Sequence, residues 1–156
     1  MAGPLTAGTN SHPVNAMCGV DETERLLRTY DTITVVGASR DPDKAAHAIP
    51  AQMQSRGWRI IPVNPYAHEL FGEKAYPTVA EVPEPLGLVD IFRPSQDAAE
   101  IVRQAIAAGA TAVWLQLGIV SAEARALAEQ AGIAYVENRC LAVERARYAL
   151  EAKSRT

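Results

Sequence analysis

The sequence lacks the features that mark several broad classes of protein. No apolar run approaches the roughly 20 residues that a membrane-spanning helix needs, and we expect no membrane association. Two cysteines, Cys18 and Cys140, are too few for a disulfide framework, so we expect a reducing compartment and a cytoplasmic protein. The 15 basic residues form no stripe and the net charge is −3, which argues against nucleic-acid binding.

What is present is the composition of one globular domain. The chain has 156 residues, of which 48% are hydrophobic and 21% charged, enough to bury a core without metals or disulfides. Residues 1–20 are rich in Gly, Ala, Pro, Thr and Asn without periodicity, and we predict a flexible N-terminal arm there. Residues 21–156 are predicted to form a single domain that begins with a short helix capped by Asp21.

Strand and helix patterns alternate along this domain. Short apolar or β-branched runs predict strands at 33–36, 59–63, 74–76, 88–92, 112–115 and 133–136. Helical patterns separate most of them, with one from about 46 to 56 and others at 97–108, 122–131 and 141–152. Such alternation predicts an α/β fold, a Rossmann-like open parallel sheet of five or six strands with helices on both faces. Pro62 lacks a donor for the sheet, so it needs an irregular or unpaired position.

In an open parallel sheet, ligands bind beyond the carboxyl ends of the strands. The loop after the first strand begins with Gly37, which allows backbone amides and a helix N-terminus to approach an anion. Arg40 and Lys44 lie where the helix dipole disfavours cations, so an external phosphate would neutralise them. The alternative is a solvated loop in which Asp41 and Asp43 balance these charges.

The loop after the second strand reads Asn64-Pro65-Tyr66. An NAD site usually places Asp or Glu there to accept hydrogen bonds from the ribose, and the nearest acid is Glu69. An amide and flat apolar faces suit an adenine instead. The alternative is an ordinary Asn-Pro turn.

Two further loops carry candidate residues. After the fourth predicted strand, Arg93 could reach a phosphate or only extend into solvent, and Ser95 could cap the next helix. Gln116 at a strand end and Gly118 two residues later suit a close backbone approach, although such glycines are also ordinary turn formers.

Five segments in register carry a resemblance. They are Val-Val-Gly-Ala-Ser (35–39), Pro-Val-Asn-Pro (62–65), Val-Asp-Ile-Phe-Arg-Pro (89–94), Val-Trp-Leu-Gln-Leu-Gly (113–118) and Glu-Asn-Arg-Cys (137–140). Together they make residues 25–150 resemble the stand-alone CoA-binding-domain family and, more distantly, the CoA-binding domain of the succinyl-CoA synthetase α subunit.

The resemblance implies non-catalytic binding of coenzyme A or an acyl-CoA, a small-molecule nucleotide ligand, by a sensor or carrier. By position, it implies a pyrophosphate site at Gly37, Ala38, Ser39 and Arg40, with Lys44 nearby. Asn64, Pro65 and Tyr66 would border the adenosine, Phe92, Arg93 and Pro94 would line the groove, and Gln116, Leu117 and Gly118 would face the pantetheine. The synthetase has a Lys where this chain has Ala67, so Lys44 or Arg40 would have to supply that charge.

Two other functions stay open at this point. One is a small NAD(P)-dependent oxidoreductase, in which Arg40 or Lys44 could bind a 2′-phosphate. The other is an interaction domain with a vestigial nucleotide pocket. We predict no catalytic set and no metal site, because the three histidines have no suitable neighbours.

Two features leave reactivity and assembly open. Cys140 precedes a helix and could form a mixed disulfide with the CoA thiol, or could be a small core residue. The apolar last helix could support a homodimer or an unknown protein partner.

Overall fold

The β-branched and apolar segments of the chain form strands, and the segments between them form helices or turns. A computed structural model describes residues 21–152, so the arm predicted for residues 1–20 lies outside the described residues, as does 153–156. In chain order the elements are α1 (Glu22–Thr29), β1 (Thr32–Val36), α2 (Ala45–Ser55), β2 (Arg59–Val63), β3 (Glu69–Leu70), β4 (Glu73–Lys74), a 3₁₀ turn (Val79–Glu81), β5 (Leu88–Ile91), α3 (Ser95–Ala107), β6 (Ala112–Leu115), α4 (Ala122–Ala131), β7 (Ala134–Val136) and α5 (Leu141–Arg147).

Five strands form one parallel sheet in the order β2-β1-β5-β6-β7. The predicted α/β, Rossmann-like open sheet is confirmed. Val36, the last residue of β1, is level with Val63 of β2 and Ile91 of β5. The chain leaves β1 toward one side of the sheet and later returns to its other side, so the strand order reverses at β1. Such a reversal opens a crevice at the carboxyl ends of the strands.

The strand predicted at 74–76 does not join this sheet in full. Glu73–Lys74 pairs with Glu69–Leu70 as a two-stranded hairpin, and Tyr76 alone bridges Val63. Pro62 lies in β2, which is an edge strand. Its carbonyl accepts from the Tyr76 amide at 3.0 Å, so its nitrogen faces the same outer edge and breaks no bond to β1. The unpaired position expected for Pro62 is confirmed.

Helices cover both faces of the sheet, as predicted. On one face α3 and α4 bury alanines and Val102 against the sheet. On the other, Leu26 and Leu27 of α1, Met53 of α2 and Leu141 of α5 pack against β1 and β6. Within residues 21–152, no helix is long and apolar enough to cross a bilayer.

The helix ends follow local chemistry, with two corrections. Asp21 caps α1 through the Thr23 amide at 2.9 Å, and Ser121 caps α4 through the Ala124 amide at 3.0 Å. The expectation that Ser95 caps a helix starting at 97 is wrong. Pro94 occupies the cap position, and the Ser95 hydroxyl instead accepts from the Val120 amide at 3.1 Å.

The last helix is shorter than predicted. It ends at Arg147 rather than residue 152, because Ala149 adopts a left-handed conformation (φ 53°) that turns the chain back. Leu141 and Leu150 are buried in the core, whereas Val143 is 59% exposed. Most of the apolar surface that suggested a homodimer is therefore used inside the domain.

Candidate functional site

A cleft of about 550 Å³ opens at the carboxyl ends of β2, β1 and β5, where the strand order reverses. That volume lies within the usual range for small-molecule sites. Its lining comes from the segments that follow these three strands, from the start of α2, from the segment around Thr78, and from two positions on α3. The residues are Val36, Gly37, Ala38, Ser39, Lys44, Ala46, Val63, Asn64, Pro65, Tyr66, Pro77, Thr78, Val79, Phe92, Arg93, Ile101 and Gln104.

Gly37 brings the three strand ends together. Its amide donates to the Val63 carbonyl at 3.0 Å, while the Phe92 amide donates to the Val36 carbonyl at 2.9 Å. Gly37 has φ +89°, and a Cβ there would lie 2.9 Å from the Phe92 carbonyl oxygen. A side chain at this position would therefore be strained and would strike the backbone after β5.

A proline inside α2 fixes the first loop. Pro50 cannot donate to the Ala46 carbonyl four residues earlier, so that carbonyl is free within the helix. The Ser39 amide donates to it instead, at 3.1 Å. The bond attaches the loop to the first turn of α2. It also means that the amide of Ser39, one of the four residues predicted to hold the pyrophosphate, already donates to the protein.

His47 and Asn64 hold the same loop from two other directions. The Nδ1 of His47 donates to the Ser39 carbonyl at 2.7 Å, and its ring lies 4.9 Å from that of Phe71. Asn64 Nδ2 donates to the Ala38 carbonyl at 2.8 Å. The Oδ1 of Asn64 accepts from the amide of Tyr66 at 2.7 Å, so one side chain fixes both the first and the second loop.

The first turn of α2 borders one end of the cleft. Lys44 occupies the N-cap position and makes no side-chain bond to the helix, and both Lys44 and Ala46 line the cleft. Unpaired amides at a helix N-terminus attract anions. Arg93, which follows β5, pairs with Asp97 at 3.1 Å, with about half of each side chain exposed. Water screens such an exposed ion pair, so the pair contributes little to the stability of the fold.

Nine of the fourteen predicted site residues line this cleft: Gly37, Ala38, Ser39, Lys44, Asn64, Pro65, Tyr66, Phe92 and Arg93. The other five, Arg40, Pro94, Gln116, Leu117 and Gly118, do not. Arg40 and Pro94 are exposed at the neighbouring surface. The roles of all fourteen in holding a ligand stay predictions.

Gln116 to Gly118 belong to a second group of loops at the same edge of the sheet. Gln116 is buried, and its Oε1 accepts from the Leu141 amide at 3.1 Å. The Gly118 amide donates to Asn138 Oδ1 at 2.7 Å. These bonds join the loop after β6 to the one after β7. Cys140, half-buried, is the N-cap residue of α5 in this group.

Eight lining residues were not among the predicted site residues. Val36, Ala46 and Val63 lie at the ends of β1 and β2 or at the start of α2, and the other five are Pro77, Thr78, Val79, Ile101 and Gln104. Ile101 and Gln104 are three residues apart, so they share one face of α3. Pro77 follows Tyr76, whose bridge to Val63 brings this segment to the cleft. A helix was predicted at 97–108, but its sequence gave no sign of which face meets the cleft.

One buried carboxyl lies close to this edge without lining the cleft. Asp90 of β5 is fully buried, and neither of its oxygens has a hydrogen-bond partner. Burial raises the pKa of Asp90 well above its usual value of 3.8. Among residues 21–152, no group of three or more His, Cys, Asp or Glu side chains could hold a metal ion.

Comparisons with known proteins agree with this architecture. A family model described as a CoA binding domain matches residues 31–146. The uncharacterized protein YneT of Bacillus subtilis is 32% identical over 125 residues, which cover 80% of this chain and 93% of YneT. A hypothetical protein from Pyrococcus horikoshii OT3 is 32% identical, with a TM-score of 0.79 and coverage of 92% of this chain and all of that one.

A larger protein contains a similar unit. The dinucleotide-forming acetyl-coenzyme A synthetase 1 of Ca. Korarchaeum cryptofilum is 29% identical with a TM-score of 0.62, and the match covers 74% of this chain but 27% of that one. The similarity is to a part of that synthetase only. With a family model that spans 116 residues, 31 to 146, the chain belongs to the CoA-binding-domain family.

Proposed function

We propose that this chain binds coenzyme A or an acyl-CoA reversibly in the cleft at the ends of β2, β1 and β5, without catalysing a reaction, and so acts as a sensor or carrier of that ligand. The observation that supports this proposal most strongly is the position of the cleft. It lies where the strand order reverses, beside a helix N-terminus with no side-chain cap, in a chain of the CoA-binding-domain family.

The chemistry of the lining supports binding rather than acid–base catalysis. Among the described residues that line the cleft, there is no His, Cys, Asp or Glu. Lys44 and the first turn of α2 supply positive potential for a diphosphate. The ring of Tyr66, 80% exposed at the rim, and the neighbouring Pro65 offer flat faces for an adenine.

The end of β2 argues against a nicotinamide cofactor. Asn64 stands where an acidic residue would accept from the ribose hydroxyls, and both ends of its amide are engaged with backbone groups. A ribose would have to displace one of these bonds. The oxidoreductase alternative therefore lacks its expected recognition group.

Calorimetric titration of the full chain with CoA, acetyl-CoA, NADH and NADPH tests the proposal. We expect saturable binding of CoA and acetyl-CoA and none of the two nicotinamide nucleotides. Binding of NADPH alone would favour the oxidoreductase, and binding of none of the four would favour the vestigial pocket.

Two lysine variants localise the binding. Lys44→Ala removes the cleft lysine and should weaken CoA binding about fivefold, as expected for a solvent-exposed charge contact. Lys74→Ala is the matched control, because Lys74 is exposed on β4 and does not line the cleft. Equal effects of the two substitutions would place the ligand elsewhere.

A further inference from the structure

The cations around the cleft are unevenly distributed. Lys44, at the start of α2, and Arg93, after β5, are the charged side chains among the described residues that line it. Arg93 is already paired with Asp97 at 3.1 Å. Arg40 is exposed on the same loop as Lys44. The cations that line or adjoin the cleft therefore lie where β1 and β5 end, with the exposed Asp41 and Asp43 on the same loop as Lys44.

The opposite wall has no charge. It consists of residues from the end of β2 and from the segment after β4, which are Val63, Asn64, Pro65, Tyr66, Pro77, Thr78 and Val79. Lys74, the nearest lysine in sequence, lies two residues before Tyr76, and its Nζ is held 5.3 Å from the centre of that ring. His68 is exposed on the second loop.

These two walls suit different parts of a nucleotide. A diphosphate matches the start of α2 and Lys44, whereas an adenosine matches the proline and tyrosine faces of the uncharged wall. A phosphate monoester on the ribose carries a charge of about −1.5 to −2 at pH 7. On that wall it would meet no cation that could balance it.

From this asymmetry we infer that the cleft recognises the diphosphate of its ligand but not the 3′-phosphate of the ribose, so that CoA and dephospho-CoA bind about equally well. The inference rests on the proposed function. It assigns the ligand class as adenosine-diphosphate esters of pantetheine, with or without the 3′-phosphate. Discrimination by charge would be confined to the part of the ligand that contacts α2.

The test is a pair of calorimetric titrations of the full chain, with CoA and with dephospho-CoA, under the same buffer conditions. The expected result is that the two Kd values differ by less than about threefold, because an exposed 3′-phosphate with no paired cation adds little to the affinity. Tighter binding of CoA by about threefold or more overturns the inference while leaving the proposed function in place. Failure of both ligands to bind overturns the proposed function and the inference with it.

A variant that adds a positive charge beside the uncharged wall gives a second test. Ala67 follows Tyr66 of the uncharged wall without itself lining the cleft, and its amide donates to Asn64 Oδ1 at 3.1 Å. Ala67→Lys should create a preference for CoA over dephospho-CoA of about fivefold, since it offers the 3′-phosphate a cation. Ala67→Gln, of similar length and no charge, should create none. If Ala67→Lys binds both ligands equally, the ribose does not lie on this wall and the inference is wrong.

Discussion

Substitution of Asp90 by Asn should change how the stability of the protein depends on pH. Asp90 is the third residue of β5, between Val35 of β1 and Trp114 of β6 in the register of the sheet. Its carboxyl is fully buried with no hydrogen-bond partner, and burial raises its pKa well above 3.8. The folded chain thus keeps this carboxyl protonated at pH values where the unfolded chain has ionised it.

This difference in protonation between the folded and unfolded chain fixes the sign and the size of the pH effect on stability. Above pH 3.8 the folded state binds more protons than the unfolded state, so the free energy of unfolding falls as pH rises. The loss is about 1.4 kcal/mol for each pH unit, until the raised pKa of Asp90 is reached. Asp90→Asn has nearly the same shape and cannot ionise. The free energy of unfolding of the variant minus that of the wild type should therefore rise by about 1.4 kcal/mol per pH unit below the raised pKa of Asp90.

Urea unfolding of both proteins at pH 5, 6 and 7 measures this difference directly. The absolute stability of Asp90→Asn is a poorer readout, because a buried amide with unpaired donors costs about 1 to 3 kcal/mol by itself. Asp43→Asn, which alters an exposed carboxyl, serves as the control. A constant gap between wild type and Asp90→Asn across the three pH values would refute the reasoning, since burial would then not keep Asp90 protonated over this range.

Three further substitutions test other parts of the structure. Gly37→Ala should lower the free energy of unfolding measured in urea by about 1 to 3 kcal/mol, because residue 37 has a left-handed φ and the new Cβ would strike the Phe92 carbonyl. Gly72→Ala is the control, since a Cβ at residue 72 meets open space; an equal loss in the two variants would contradict the prediction. Ser121→Ala should cost about 1 kcal/mol through loss of the α4 cap, seen as a lower Tm, with unchanged CoA affinity by calorimetry. Asn64→Ala should cost about 1 to 3 kcal/mol in urea. Unlike Ser121→Ala, it should also weaken CoA binding, because it frees the Ala38 carbonyl and the loop that carries it; unchanged affinity would show that the ligand does not depend on that loop.

Local patterns were sufficient to predict most of the fold. The β-branched run at 33–36 and the apolar run at 112–115 lie within or match observed strands, because buried parallel strands need continuous apolar sequence. The bounds 122–131 predicted for α4 are confirmed; Ser121 and Gly132 cap its two ends, and capping depends on a few neighbouring residues. The end of α5 was missed because Ala149, a good helix former, adopts a left-handed turn there.

The candidate site was predictable by loop but not by residue. Sequence order shows which loops lie at the carboxyl edge, and this placed Gly37 and Asn64 in the cleft. It does not show which of these loops lie together. Gln116 turned out to be bonded to the start of α5, 25 residues away along the chain, and such a contact has no local signature. Gln104 contributes from a helix face that only tertiary packing brings to the cleft.

The proline in α2 makes the loop and the helix depend on each other. Because the Ser39 amide is bonded to the Ala46 carbonyl, exchange of its hydrogen with solvent requires that bond to open, either by loop departure or by unwinding of the first helical turn. A ligand that binds to this turn would suppress both motions. Slower hydrogen exchange at the Ser39 amide, which the ligand need not contact, would then show that the ligand stabilises both the loop and the first turn of α2.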